Sequence, residues 1–136
     1  MLASIGDPIK DNGWIYEIKW DGYRALSFCN KDTVDLVSRN SKSFNDKFYP
    51  LHDTLKKLRL NCVLDGEVVV LDDQGLPSFS ALQNWRSDAD GALVYYVFDI
   101  LWHDGYNLMQ LPLSERKKIL TTMMPKIDSI RDNVWF

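Results

Sequence analysis

The sequence has few of the residues that mark secreted, membrane or metal-cluster proteins. Its 136 residues include two cysteines and two histidines, and no apolar run approaches the roughly 20 residues that span a bilayer. Cys29 and Cys62 lack the spacing of a zinc site or a disulfide framework, so we expect both to be reduced core residues. The N-terminus has no basic-then-apolar signal pattern. These absences predict a soluble, cytoplasmic protein with no membrane partner.

The sequence also lacks an excess of lysine and arginine over acidic residues. The net charge is −3, which argues against a surface that grips a nucleic-acid backbone by itself, because such binding needs clustered lysine and arginine. Four basic residues share one side of a predicted helix: Lys47, Lys56, Lys57 and Arg59. They are interpreted as a solvated helix face, with contact to a DNA backbone as the alternative.

The remaining composition is typical of one globular domain, with 46% apolar and 26% charged residues. Alternating and β-branched stretches predict strands over residues 14–20, 23–29, 33–38, 62–71 and 92–101, and a further strand beginning at Asp132. Helical spacing predicts helices starting at residues 43–45 and covering 79–85 and 114–124. This mixture predicts an α+β domain with antiparallel pairing.

The most unusual stretch is residues 17–24. Asp21 and Gly22 are suited to a tight hairpin turn, because both tolerate the positive φ that such turns need. That turn would place Lys19 directly across from Arg24. A lysine attacks carbon or phosphorus only as the neutral amine, and a neighbouring cation favours that form. The stretch therefore predicts an activated lysine, with a merely charged solvent face as the alternative.

A second anomaly interrupts the most apolar strand. Asp65, Gly66 and Glu67 lie within an otherwise buried run, and alternation puts the two acids on one face. Glycine inside a strand often marks the close approach of a ligand or of another backbone. A hairpin turn at Asp65 and Gly66 is the alternative interpretation.

Four motifs follow one another in the chain: Lys19-Trp20-Asp21-Gly22-Tyr23-Arg24, Ser38-Arg39-Asn40-Ser41-Lys42-Ser43-Phe44, Leu64-Asp65-Gly66-Glu67-Val68-Val69 and Val97-Phe98-Asp99-Ile100-Leu101. In this order they resemble the nucleotidyltransferase domains of ATP-dependent DNA ligases, RNA ligases and mRNA capping enzymes. The likeness is greatest to bacterial ATP-dependent DNA ligases of the non-homologous end-joining type, and it continues through Leu111-Pro112-Leu113-Ser114-Glu115-Arg116. It implies an α+β, ATP-grasp-like fold in which antiparallel sheets flanked by helices hold the nucleotide between them.

The resemblance implies that Lys19 attacks the α-phosphate of ATP, expels pyrophosphate and holds AMP through a phosphoramidate bond. Glu17 would help to hold the adenine end of the nucleotide, and Ile18 would also be nucleotide-binding. Asp21 and Gly22 would support the loop that carries Lys19.

The other implied nucleotide contacts lie further along the chain. Arg24 and Arg39 would bind the ribose or phosphate side, where planar donors match oxyanions. Glu67 would accept hydrogen bonds from ribose hydroxyls or hold a metal-bound water, and Phe98 would stack on the adenine ring. The implied cofactors are ATP and Mg²⁺, with Mn²⁺ as a substitute.

Three later features of these ligases are not found: a metal-binding Glu-Gly motif, a strand with two phosphate-binding lysines, and an oligonucleotide-binding domain. We therefore expect residues 1–136 to be the first part of a ligase adenylation domain that joins nicked or broken duplex DNA in repair and recombination when complete. On its own the chain should not seal nicks, and self-adenylation should be absent or feeble. A nucleoid-associated location and unidentified end-joining partners are implied. The alternatives are an RNA ligase or capping-type enzyme, or a non-catalytic scaffold that kept the fold.

Overall fold

The computed structural model describes residues 6, 7, 9 and 11–133. The described chain is α+β, as predicted, with six strands, three α-helices and one 3₁₀ turn at Asp88–Asp90. The strands are β1 Tyr23–Asn30, β2 Thr33–Ser38, β3 Asn61–Leu71, β4 Ala92–His103, β5 Tyr106–Asn107 and β6 Ile130–Asp132. The helices are α1 Tyr49–Leu58, α2 Phe79–Gln83 and α3 Leu113–Met123.

The described strands form a single sheet in the order β2-β1-β3-β4-β5, and β6 also pairs with β4. All pairings along the path are antiparallel, whereas β6 runs parallel to β4 through Tyr95 and Val97. The predicted strand from Asp132 to Phe136 is only partly described: β6 ends at Asp132, and residues 134–136 lie outside the described residues. The resemblance implied more than one antiparallel sheet. The described residues instead form one sheet, which includes one parallel pairing.

The three helices contribute to one core on one face of this sheet. Leu51 and Leu55 of α1, Leu82 of α2 and Leu120 of α3 are buried there. Alternate residues of the strands complete this core because successive strand residues point to opposite faces. No described helix has both the length and the apolar character of a membrane span.

The glycine inside β3 belongs to this core face. A Cβ on Gly66 would lie 2.6 Å from the ring of Tyr95 and 2.5 Å from the carbonyl oxygen of Tyr96. The Tyr95 ring passes over the glycine, and its hydroxyl donates a 2.9 Å hydrogen bond to the carbonyl of Ala25 on β1. The predicted close approach is therefore that of a neighbouring strand. The alternative turn at Asp65 and Gly66 is excluded, because β3 continues through both residues.

Cys29 and Cys62 are both buried and free, as predicted. The structure adds that they lie directly opposite each other on β1 and β3. The contact between the thiols lowers the pKa of Cys29 and raises that of Cys62.

The hairpin predicted at Asp21 and Gly22 is wrong. No strand is formed over residues 14–20, where Glu17 makes one isolated bridge, and β1 begins at Tyr23. Arg24 is instead paired in register with Glu67 of β3. The local turn signal is overridden because Trp20 leaves the strand direction to stack on Tyr96 of β4, with ring centroids 3.9 Å apart.

Candidate active site

The second sheet face carries a polar cluster centred on Arg24. Its Nε donates to Asp65 Oδ1 at 3.0 Å and its Nη2 donates to Oδ2 at 2.6 Å, so the pair is bidentate. This contact raises the pKa of Arg24. The guanidinium also lies over the ring of Phe98, 5.4 Å from its centroid, and Arg24 is opposite Glu67 in the ladder. Arg24 thus joins residues from β1, β3 and β4.

Glu67 contacts the loop that precedes β1. Burial raises the pKa of the Glu67 carboxyl group, while a hydrogen bond from the backbone N–H of Gly22 and the charge of Arg24 act in the opposite direction. A Cβ on Gly22 would lie 2.1 Å from the carbonyl oxygen of Val68. Only glycine therefore lets this loop lie so close to β3.

Phe98 sits at a break in the sheet. Asp65 pairs with Asp99 and Gly66 pairs with Val97, so Phe98 is the extra residue of a β-bulge on β4. Bulges leave the extra residue unpaired and redirect its side chain, and they are common beside active sites. The carbonyl oxygen of Phe98 accepts a hydrogen bond from Nζ of Lys117 on α3.

Lys19 is exposed, and the residues on both sides of it are anchored. The Asn133 side chain donates from Nδ2 to the carbonyl of Ile18 at 3.0 Å and accepts from Trp20 Nε1 at 2.9 Å. The backbone N–H of Asn133 in turn donates to the carbonyl of Val97 at 2.7 Å. One buried asparagine therefore ties the backbone before Lys19 and the side chain after it to the sheet.

Glu17 forms an ion pair with Lys117, whose Nζ donates to Glu17 Oε1. The Lys117 side chain is 1% exposed, whereas that of Glu17 is 29% exposed. Burial lowers the pKa of Lys117 to about 8. The same ammonium group therefore contacts both Glu17 and the backbone of Phe98.

A second bidentate pair lies next to the bulge. Arg116 donates from Nε to Asp99 Oδ1 at 2.8 Å and from Nη2 to Oδ2 at 3.1 Å. The contact raises the pKa of Arg116. Asp65 and Asp99, which face each other across β3 and β4, are thus each paired with an arginine.

The structure brings together four of the predicted site residues, Glu17, Arg24, Glu67 and Phe98, through the contacts above. Arg39 is not joined to them: it is exposed after β2 and makes no hydrogen bond or ion pair with a described residue. Asp21 is also exposed without a hydrogen bond among the described residues, so the contacts that hold the Lys19 loop come from its neighbours.

Lys117 and Asn133 were not predicted as site residues. For Lys117 a signal existed, because it occupies an apolar position of α3 together with Leu113 and Leu120, at i, i+4 and i+7. A lysine at such a position must find a buried partner. Asn133 gave no comparable signal, since its partners are distant in the sequence.

A further groove lies along the sheet. It has a volume of about 680 Å³ and is lined mainly by apolar side chains, including Phe28, Val63, Trp102 and Met109. None of the predicted site residues lines it. Leu26, which lies opposite Asp65 in the sheet, lines the end of the groove that is nearest to the Arg24 cluster, and the groove continues from there toward Asn30 and Asn61.

The sequence matches the family described as ATP dependent DNA ligase domain over residues 1–134. The chain belongs to this family. It is 38% identical over 125 residues to the multifunctional non-homologous end joining protein LigD of Pseudomonas aeruginosa, covering 90% of this chain and 15% of that protein. It is 34% identical to the SPbeta prophage-derived DNA ligase-like protein LigB of Bacillus subtilis, covering 90% of this chain and 46% of that protein.

Solved structures agree with this family assignment. Mycobacterial DNA ligase D complexed with ATP and MES is 31% identical, with a TM-score of 0.75, over 89% of this chain and 39% of that one. The ligase domain of Mycobacterium tuberculosis LigD is 35% identical, with a TM-score of 0.71, over 80% of this chain and 36% of that one. This member of the DNA ligase family thus spans less than half of each of these relatives.

Proposed function

We propose that this chain is the part of an end-joining DNA ligase that binds ATP and carries the adenylated lysine, Lys19. The observation that supports the proposal most directly is the meeting of distant motifs on one sheet face. Arg24, Glu67 and Phe98 come from three strands, and the exposed lysine lies in the loop that Gly22 places against Glu67. Distant polar groups that converge beside an exposed nucleophile are typical of an active site.

The proposed step is covalent phosphoryl transfer. The Nζ of Lys19, as the neutral amine, attacks the α-phosphorus of ATP. The new N–P bond forms while the bond from this phosphorus to the pyrophosphate oxygen breaks, and the amine proton passes to water. The product is a lysyl-AMP phosphoramidate, which splits one difficult transfer into two easier ones.

The remaining residues bind the nucleotide. Phe98, redirected by the bulge, stacks on the adenine ring, and Glu17 lies at the adenine end. Ile18, the neighbour of Glu17, also contacts the nucleotide. Arg24 and Arg39 supply positive charge to the ribose and phosphate side. The ion pairs of Arg24 and Arg116 hold the strands beneath this surface in place.

Magnesium fits this surface through a single protein carboxylate. Among the described residues, no group of three or more His, Cys, Asp or Glu side chains is arranged to hold a metal ion. Mg²⁺ is commonly bound by one or two carboxylates together with substrate phosphates and waters. Glu67 would supply that carboxylate, directly or through a bound water, because burial disfavours its negative charge and a nearby cation would compensate for the lost solvation. Bound Mg²⁺, or Mn²⁺ in its place, would neutralise charge on the departing pyrophosphate.

In the complete enzyme, the AMP would pass from Lys19 to a DNA end so that nicked or broken duplex DNA can be joined. This assigns the chain to DNA repair and recombination, next to the nucleoid in the bacterial cytoplasm. The Pseudomonas relative is described as a non-homologous end joining protein, which supports the assignment. Relatives described as DNA ligases favour this function over that of an RNA ligase or capping enzyme.

The test combines ATP binding with intact mass. The folded chain should bind ATP in equilibrium dialysis, with GTP as a weaker competitor. After incubation with ATP and Mg²⁺, any mass increase of one AMP should be small in yield and absent from Lys19→Ala. A folded chain that does not bind ATP, or an adduct that persists in Lys19→Ala, would refute the proposal.

A further inference from the structure

Lys117 has no part in the phosphoryl transfer proposed above, yet it is a fully buried lysine at the edge of the site. Burying a charge is costly unless the charge is paired and hydrogen-bonded. The partners of Lys117 are Glu17 Oε1 and the carbonyl oxygen of Phe98. Its two contacts are therefore with the two residues assigned to the base of the nucleotide.

The Phe98 contact follows from the bulge. An extra residue in a bulge lacks its ladder partner, so its carbonyl needs another donor. Lys117 supplies that donor from α3 and so fixes the backbone at the position where the Phe98 ring leaves the sheet. The side chain of Glu17 is bound to the same ammonium group, which sets its position relative to that ring.

The hydrogen-bonding capacity of the Glu17 side chain determines which base can bind beside it. An ionised carboxylate accepts hydrogen bonds and cannot donate them. Within the described structure, Oε2 of Glu17 has no hydrogen-bond partner, while Oε1 is held by Lys117. A purine with an amino group at position 6 can donate to this carboxylate, whereas one with a carbonyl group there meets a second acceptor. Sites built around one such hydrogen bond discriminate strongly against analogues that cannot form it.

We propose that Lys117 is a positioning residue for base selectivity: it binds Glu17 and orients its carboxylate toward the base, so that the site takes a 6-aminopurine nucleotide and rejects a 6-oxopurine one. This inference rests on the proposed function, since it specifies the nucleotide of the same site. It assigns to α3 a role in recognition beyond the packing of its apolar residues.

The experiment measures the ratio of ATP to GTP dissociation constants by equilibrium dialysis. Lys117→Met keeps the length of the buried stem and removes the ammonium group. It should weaken ATP binding on the order of 10-fold while leaving GTP binding nearly unchanged, because a charge-assisted hydrogen bond is lost for one base only. Lys118→Met is the matched control, since the neighbouring Lys118 side chain is 66% exposed and pairs with Glu115. It should leave the ratio unchanged.

A second variant alters the other partner of the Lys117–Glu17 ion pair, which lies outside the core. Glu17→Gln presents an amide that can also donate to a 6-oxo group, so it should lower the ATP to GTP preference without disturbing α3. If Lys117 acts through Glu17, adding Lys117→Met to Glu17→Gln should change the ratio no further.

The outcomes separate this inference from the function on which it rests. Equal weakening of ATP and GTP by Lys117→Met would indicate a structural role and overturn the inference alone, as would an unchanged ratio in either single variant. A wild-type chain that binds neither nucleotide would overturn the proposed function and this inference with it.

Discussion

Replacing Asn133 with leucine should release the loop that carries Lys19 while leaving the fold intact. The substitution keeps a side chain of similar size and removes the two side-chain hydrogen bonds to Ile18 and Trp20. The backbone hydrogen bond from residue 133 to Val97 does not depend on the side chain. The loss is therefore confined to the contacts on either side of the nucleophile.

The expected magnitude follows from those two bonds. A hydrogen bond contributes about 1 kcal/mol net, so their loss should cost about 2 kcal/mol of local stability. Because 1.4 kcal/mol is tenfold in an equilibrium constant, the population with a detached loop should rise by about 30-fold. The stack of Trp20 on Tyr96 remains and limits the effect. Asn133→Asp keeps the acceptor for Trp20 but places a carboxylate oxygen against the carbonyl of Ile18 in a buried position, so it should release the loop at least as strongly.

Amide and indole hydrogen exchange followed by NMR is the suitable assay, with urea unfolding beside it. Exchange at the Trp20 indole and at the amides of residues 18–22 should accelerate, while the amides of β1 and β3 stay protected. Asn40→Leu is the control, because the Asn40 side chain is exposed and forms no hydrogen bond in the described structure. Unchanged exchange at Trp20, or faster exchange spread evenly over the sheet, would refute the reasoning.

Three further predictions concern single side chains. Gly22→Ala should lower ATP affinity by about 10- to 100-fold in equilibrium dialysis, because the loop must move off β3. The control Gly6→Ala should not lower it, because the space around Gly6 is open. Equal ATP affinities of the two variants would contradict the placement of the loop. Gly66→Ala should lower the free energy of urea unfolding by about 1–3 kcal/mol through overpacking against Tyr95, and a smaller loss would mean that the ring can yield. Burial lowers the pKa of Lys117 from 10.5 to about 8, so the unfolded state binds more protons between these values. Between pH about 8 and 10, wild-type stability should thus rise relative to Lys117→Met by up to about 1.4 kcal/mol per pH unit; equal pH slopes would contradict this.

Much of the sheet could be predicted from the sequence because its signals are local. The alternation over residues 33–38 gave β2 with its observed bounds, and the apolar run over 62–71 gave all but the first residue of β3. The acids at positions 65 and 67 share the face that alternation predicts, together with Arg24. Hydrophobic periodicity and residue composition suffice to predict a strand where each residue's environment follows from its immediate neighbours in the sequence.

The helix starts were less predictable. The first helix begins at Tyr49 rather than at residues 43–45, where the chain instead forms a bridge from Ser43 back to Val37. The last helix, predicted over residues 114–124, begins one residue earlier at Leu113, and Pro112 occupies the cap position. Proline fits there because its fixed φ suits a helix start and it needs no N–H partner. Boundaries depend on such competing local arrangements.

The errors at the site have a different cause, which is long-range packing. Asp21 and Gly22 carry a valid hairpin signal, but the energy of a two-residue turn is small beside that of stacking two large aromatic rings. Trp20 finds Tyr96 and Asn133 only when β4 and the chain after β6 are in place. No pattern within a short window of sequence reveals such a partner.

The same long-range contacts determine how the nucleophile is presented. The loop around Lys19 has no strand ladder of its own. The side chains that contact residues 17, 18 and 20 are Lys117, Asn133 and Tyr96, and all three come from the second half of the chain. A shorter chain that kept every residue of the first three motifs but lost α3 and Asn133 would keep Lys19 and lose its placement. The position of the loop around Lys19 is thus set by the completed fold, whereas the proposal that Lys19 is the nucleophile rests on the local motif.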